Sequence, residues 1–378
     1  MLIVVQNDVL IKAQDKTDYE HEQAVETLRH LSWSIRRNHH LVFFPSLCQN
    51  DIDSLERFLN KQEIKAIQRS FSKKRDLQVI LGRMEYHVEI SFNEESGRNG
   101  NVIKIKPSAD NKLCLFEKSF LLTENILDAN FYRYLAIAYQ KSLRIDECVF
   151  KTNYYPLQGG GATTKQVYIL ECESGAHFCL AILDSDKKWP NYNGYGETAN
   201  EFVDEYNRYL RDNDEPINCT YYIMQNINEI ENLIPLEILK HFSSPKQRSF
   251  FTMFPGALPW IDIKKGFDYR MLYNDNAVSE WKNVITTIDW AKIATIKSLS
   301  SDEKEYIEKV EAAQLDEVVK PWGYNILYRV LYPDSKHKNK YDLRKIDIAK
   351  LYHEQRLEWD EIGKLVFNWC CCFTGKVY

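Results

Sequence analysis

Apolar positions along the chain alternate between two rhythms. Runs at 2–5, 40–44, 77–81, 86–92, 119–123, 147–157, 177–183 and 220–224 predict strands. Residues 20–37 place Ala24, Leu28, Leu31 and Ile35 at helical spacing, and 51–60, 127–143, 162–171, 198–211 and 230–242 also read as helices, with Asp51 as an N-cap. The stretch 93–100 reads as a turn. The run 177–183 is almost continuously apolar, as in a strand covered on both faces. Strand–helix alternation of this kind predicts an α/β fold, a mostly parallel sheet with helices on both faces. Beyond residue 243 the patterns lengthen, and 302–313 and 346–367 predict a helical accessory region. The expected divisions are an N-terminal α/β domain (1–115), a central α/β domain (116–270) and the helical region (271–378).

Composition narrows the class without naming a function. Hydrophobic residues make up 44% and charged residues 27%, enough for packed cores and typical of a soluble chain. Net charge is −5, which does not announce a nucleic-acid binder, although basic residues gather at 61–75 and 336–340; each run alone reads as a solvated face. The nine cysteines form no C-x-x-C pair and no zinc-spaced cluster, which suits a reducing cytoplasm, and the 370–372 run reads as core packing. No run approaches the ~20 apolar residues of a membrane helix, and nothing resembles a signal peptide. The expectation is a cytoplasmic protein without a membrane span.

Candidate chemistry lies at strand ends. FLLTENILD puts Glu124 just after an apolar strand and Asp128 one turn on. HFCLAILDSD ends a strand in Asp184-Ser185-Asp186, and alternate residues of an extended segment project to one side. In parallel α/β sheets the carboxyl ends of the strands form the binding crevice. Converging carboxylates supply the hard oxygen ligands that Mg²⁺ or Mn²⁺ prefer. Between these acids, Gly159-Gly160-Gly161 allows close backbone approach, and the next helix start favours an anion. Glu229 and Glu231 follow a further strand, placing one of them at the same edge. Separately, each feature has an ordinary explanation as an N-cap, a solvated turn or a flexible loop; jointly they predict a metal site.

The Glu124, glycine-turn and Asp184-x-Asp186 order resembles a Toprim domain, the catalytic module of topoisomerases, primases and OLD-family nucleases. The resemblance spans about residues 116–270 and is nearest to the nuclease branch, matching its acid four residues after the first Glu (Asp128) and its I-E-N motif (Ile230-Glu231-Asn232). Asn125 stands where the family usually has Gly. The resemblance implies a Toprim-type sheet, Mg²⁺ or Mn²⁺ held by Glu124, Asp128, Asp184, Asp186 and Glu231, and an assisting lysine, Lys264 or Lys265. It further implies two-metal hydrolysis of DNA, tRNA or other RNA, and a role in bacterial anti-phage defence beside a separate ATPase or sensor, since no P-loop is present. A homo-oligomer is compatible with it. The rival readings are a catalytically silent Toprim interaction module and a primase-like nucleotidyl transferase.

The N-terminal region is less telling. Its start resembles a PIN-like fold, with Asp8 in the place of the first acid, but the later acids find no match, and a substrate- or partner-binding domain is the preferred expectation. His39-His40 reads as a surface pair at a strand edge.

Overall fold

The computed structural model describes residues 1–108, 117–187, 192, 194–253, 255–266 and 320–375. These form two compact units. The first comprises 1–183, 201–222 and 360–378; the second comprises 184–200 and 223–359. The expected division 1–115 therefore falls in one unit with residues 116–183 and 201–222 of the expected division 116–270 and with 360–378. The expected helix at 302–313 lies outside the described residues.

The fold is mixed α/β with mostly parallel sheets. It opens with β1 (Leu2–Val5), α1 (Asn7–Gln14), α2 (His21–Arg37), β2 (Leu41–Phe43), α3 (Gln49–Leu55), α4 (Lys61–Ser72), α5 (Lys74–Leu81), β3 (His87–Ile90), β4 (Gly97–Asn99) and β5 (Val102–Ile105). The sheet order is β2-β1-β3-β5-β4, parallel except for the β4–β5 pair. Strand β1 is buried throughout, whereas β3, in the middle of the sheet, alternates half-buried and buried residues, so one of its faces is less covered. Helix α2 buries Ala24, Leu28, Leu31 and Ile35, the stripe read from the sequence. It ends at Asn38 in the left-handed conformation, with the cap N–H bonded back to the last turn.

Three local expectations fail here. Residues 77–81 form a helix, α5, not a strand: Leu77 and Ile80 are buried three residues apart while Val79 is 52% exposed, a helical rather than a two-residue period. Asp51 does not start its helix. Cys48 holds the N-cap position and Asp51 Oδ2 accepts its N–H at 2.9 Å from the first turn. His39 and His40 are buried, not a surface pair.

The chain continues with β6 (Phe120–Thr123), α6 (Ile126–Ser142), β7 (Phe150–Thr152), β8 (Tyr155–Gln158), α7 (Thr164–Ser174), β9 (Cys179–Leu183), α8 (Glu197–Asp212) and β10 (Cys219–Ile223). A four-stranded parallel sheet runs β10-β9-β6-β8. The single strand expected at 147–157 is two, because β7 turns away to pair with a later strand. The second unit adds the short helices α9 (Leu236–Leu239), α10 (Pro245–Met253) and α11 (Ile326–Leu331). The long helix expected at 230–242 breaks at Pro235, which removes an N–H and leaves Ile234 extended (ψ 120°).

Helix α12 (His353–Cys370) and β11 (Cys371–Phe373) close the chain, with β11 antiparallel to β7. Gly363 lets α12 approach α6, since a Cβ there would lie 2.6 Å from the Leu135 carbonyl oxygen. Cys370, Cys371, Cys372 and Trp369 are fully buried, so this terminal run is core rather than an exposed interface patch. Each such side chain contributes on the order of 1.5–3 kcal/mol of hydrophobic stabilisation. Among the described residues, no helix is long and apolar enough to cross a membrane.

Candidate active site

In the first unit, β6 pairs in parallel with β9 on one side and β8 on the other, with Thr123 opposite both Ile182 and Gln158. Glu124, Gly159 and Asp184 therefore leave from the carboxyl edge of neighbouring strands. Glu124 is half-buried. The glycine turn locks onto it through the backbone: Gly159 N–H donates to Thr123 O at 2.7 Å and Gly160 N–H to Glu124 O at 3.0 Å. A Cβ at residue 159 would collide with the Thr164 side chain, and Gly160 and Gly161 adopt left-handed φ of 73° and 66°. These glycines are thus required by geometry. Asp128 is 7% exposed and sits at the third position of α6, where its Oδ2 accepts the Asn125 N–H at 2.8 Å. Its carboxylate completes a capping box with Asn125.

In the second unit, the acids after β9 and β10 are drawn together by one loop. Asn228 O accepts N–H groups from Ser185 (3.1 Å) and Asp186 (2.8 Å). Asp184 Oδ1 accepts the Ile230 N–H at 3.0 Å. Asp186 has a left-handed φ of 50°, and Gly196 gives it room, since a Cβ there would strike its side chain. Asn232, fully buried, donates to Leu258 O (2.6 Å) and Ile261 O (2.8 Å), which fixes the segment carrying Lys264. Every residue of the I-E-N motif therefore has a structural task in this unit.

Lys264 and Lys265 separate clearly. Lys264 Nζ lies 2.9 Å from Glu229 Oε2 and 3.3 Å from Glu231 Oε2. Lys265 pairs with Asp262 at 3.0 Å, with its side chain 60% exposed. Glu229 and Glu231 are both buried; Glu229 Oε1 also accepts the Ile263 N–H at 3.1 Å. Glu231 Oε2 has this ion pair but no hydrogen bond. Burial, followed by the neighbouring Glu231 charge, pushes Glu229 up to about 8. Burial likewise raises Glu231, against the opposing pull of Lys264. Burial works to discharge Lys264, but Glu231, Glu229 and Asp184 outweigh it and hold the ammonium above its ordinary value. Acidic groups thus outnumber basic ones in this cluster, and burial favours protons on the two glutamates.

Helix α12 braces the same loop. Glu358 is fully buried, and its Oε1 accepts from Gln225 N (2.7 Å), Asn226 N (2.7 Å) and Asn226 Nδ2 (2.9 Å). Gln355 Nε2 donates to Asn232 O at 2.6 Å, and Trp359 Nε1 to Leu233 O at 2.9 Å. The sequence reading missed these residues, and also Asn228 and Asn232 as organisers. A Gln, a Glu and a Trp on one apolar helix face were the available signal.

Glu229, Glu231 and Lys264 are thus gathered directly, with the Asp184 charge acting on Lys264. Among the described residues, no three His, Cys, Asp or Glu side chains are grouped to hold a metal ion. The donor chemistry nevertheless fits a hard divalent cation: carboxyl oxygens, more acidic groups than basic ones, and one buried oxygen lacking a hydrogen bond. Mg²⁺ usually takes one or two protein carboxylates and fills its shell with water and phosphate. Comparison with known proteins adds no precedent: no protein-family model, no curated protein and no solved structure matches the chain.

Proposed function

We propose that the chain is a Mg²⁺- or Mn²⁺-dependent nuclease of Toprim type that hydrolyses phosphodiester bonds of DNA or RNA. The observation that carries this reading is the surplus of acidic groups around Lys264, where Glu229, Glu231 and Asp184 outnumber one ammonium. A scaffold gains nothing from burying like charges together, whereas a site for a further cation requires it. On the family resemblance alone, Glu124, Asp184 and Asp186 would hold the principal ion, and Asp128 and Glu231 would help bind the second or act as the base on water. When bound, the metal supplies a hydroxide nucleophile at neutral pH and stabilises the leaving oxygen. Glu229, with its raised proton affinity, holds or releases a proton beside Glu231. Lys264 steadies charge on the scissile phosphate. Work beside a separate ATPase or sensor in anti-phage defence follows from the family resemblance alone.

One observation favours a second reading. Lys264 already pairs with both buried glutamates, as it would in a catalytically silent interaction module. The two part on incubation of the purified protein with plasmid DNA, single-stranded DNA and total tRNA, in Mg²⁺, Mn²⁺ or EDTA. Metal-dependent cleavage that disappears in Glu124→Ala and Asp184→Ala supports the nuclease. Absence of cleavage together with absence of Mn²⁺ binding supports the silent module.

A further inference from the structure

The first unit carries a second feature that the nuclease reading does not use. Helix α2 turns Arg29, Trp33, Arg36 and Arg37 outward at positions i, i+4, i+7 and i+8, opposite its buried stripe. Trp33 is 38% exposed, whereas the other described tryptophans, Trp260, Trp322, Trp359 and Trp369, are buried. The guanidinium carbon of Arg37 lies 4.6 Å from the indole centroid and that of Arg36 lies 5.9 Å away. A cavity of about 360 Å³ opens here, lined by Glu26, Arg29, His30, Trp33, Arg36 and Glu63 of α4. That volume lies within the ~300–1,000 Å³ range of sites that accept small molecules or single nucleotide units.

The charges are unevenly committed. Glu63 Oε2 accepts the Asn60 N–H at 2.7 Å in the α4 capping box, and Glu26 pairs with both Arg29 and His30 at 3.1 Å. Among the described residues no ion pair is formed by Arg36 or Arg37, nor by Lys61 or Lys65, exposed on the neighbouring helix α4. An exposed indole extended by guanidinium planes, with unneutralised basic groups beside it, matches what unstacked bases and their phosphates need. A duplex hides its base faces and cannot use the indole.

We propose that the α2–α4 groove around Trp33 binds single-stranded nucleic acid, with a base stacked on the indole–guanidinium platform and backbone phosphates on Arg36, Arg37 and Lys65. The proposal does not rest on the metal site, because none of these residues belongs to it. A chain that binds strands but neither cuts them with Mn²⁺ nor takes up Mn²⁺ overturns only the nuclease reading.

The test is fluorescence anisotropy of labelled single-stranded DNA and RNA oligonucleotides and a matched duplex, with the full-length protein in EDTA. Trp33→Ala should weaken single-strand binding about tenfold, and Trp33→Phe should retain most of it. Arg36→Ala/Arg37→Ala should weaken binding and flatten its salt dependence by one to two phosphate contacts, roughly a unit or two in slope. Circular dichroism spectra of all three variants should match the wild type, which separates lost affinity from lost fold. No single-strand binding by the wild type, equal affinity for duplex, or wild-type binding by Trp33→Ala would each overturn the proposal; the first would leave a peptide or protein as the groove's occupant.

Discussion

Asp8 and Asp184 both stand just past the carboxyl end of a parallel strand, β1 and β9 respectively, yet their surroundings differ. Asp8 serves its own fold: its Oδ2 accepts from Ser91 Oγ (2.8 Å), Phe92 N (2.6 Å) and Asn93 N (3.1 Å), tying down the loop after β3. Asp184 accepts one loop N–H and adds its charge to a lysine already shared by two buried glutamates. An acid at a strand end is therefore a weak sign of chemistry. A surplus of buried acid over base is a stronger one, because structure alone gives no return for it.

The largest effect should come from removing the shared cation. Lys264→Met leaves Glu229 and Glu231 buried without a counter-ion and should cost about 3–5 kcal/mol in urea unfolding. Mn²⁺ should restore part of that loss, and restore more of it than it adds to the wild type. A variant as stable as wild type in EDTA would remove the charge-surplus argument. Next comes the brace on the same loop. Glu358→Ala orphans three N–H donors and should destabilise by about 2–3 kcal/mol. Glu358→Gln, which keeps an acceptor, should lose less.

At the other edge, Asp8→Ala should cost about 2 kcal/mol through its lost charged hydrogen bonds. It should leave Mn²⁺ binding at the wild-type value. Loss of metal binding in Asp8→Ala would erase the contrast between the two edges. The smallest effect is a pH slope. Glu229 binds its proton up to about pH 8 when folded, against an ordinary value of 4.5. Between those values the folded state carries more protons than the unfolded one, so stability should fall as pH rises through that window. The slope cannot exceed about 1.4 kcal/mol per pH unit for one proton. Glu229→Gln should flatten thermal-melt midpoints across pH 5–8 relative to wild type. An unchanged slope would show that Glu229 is ionised throughout.

Sequence legibility followed the range of the interactions. The stripes of α2 and α6 and the apolar run of β9 were readable because burial imposes a local period. Residues 77–81 misled because five apolar-rich residues fit either period, and the exposure of Val79 is set by tertiary packing. The split of 147–157 into β7 and β8 was invisible because β11, the partner of β7, lies more than two hundred residues later. In the candidate site, Asp184, Asp186 and Glu231 were named from strand ends and motif order, and Lys264 only as an alternative to Lys265 through the family resemblance. Glu229 stood only as an alternative to Glu231, and the structure uses both. Glu358, Gln355 and Asn228 went unread, since a buried polar residue that braces a distant loop leaves no local pattern.

The central claim is that the acids around Lys264 accept a divalent cation. Calorimetric titration of Mn²⁺ into the metal-free protein, beside an Asp184→Asn/Glu231→Gln variant with a wild-type circular dichroism spectrum, tests it most directly. The account predicts saturable binding by the wild type that the double variant loses. A wild type that takes up no Mn²⁺, or a double variant that binds it equally well, would contradict the account.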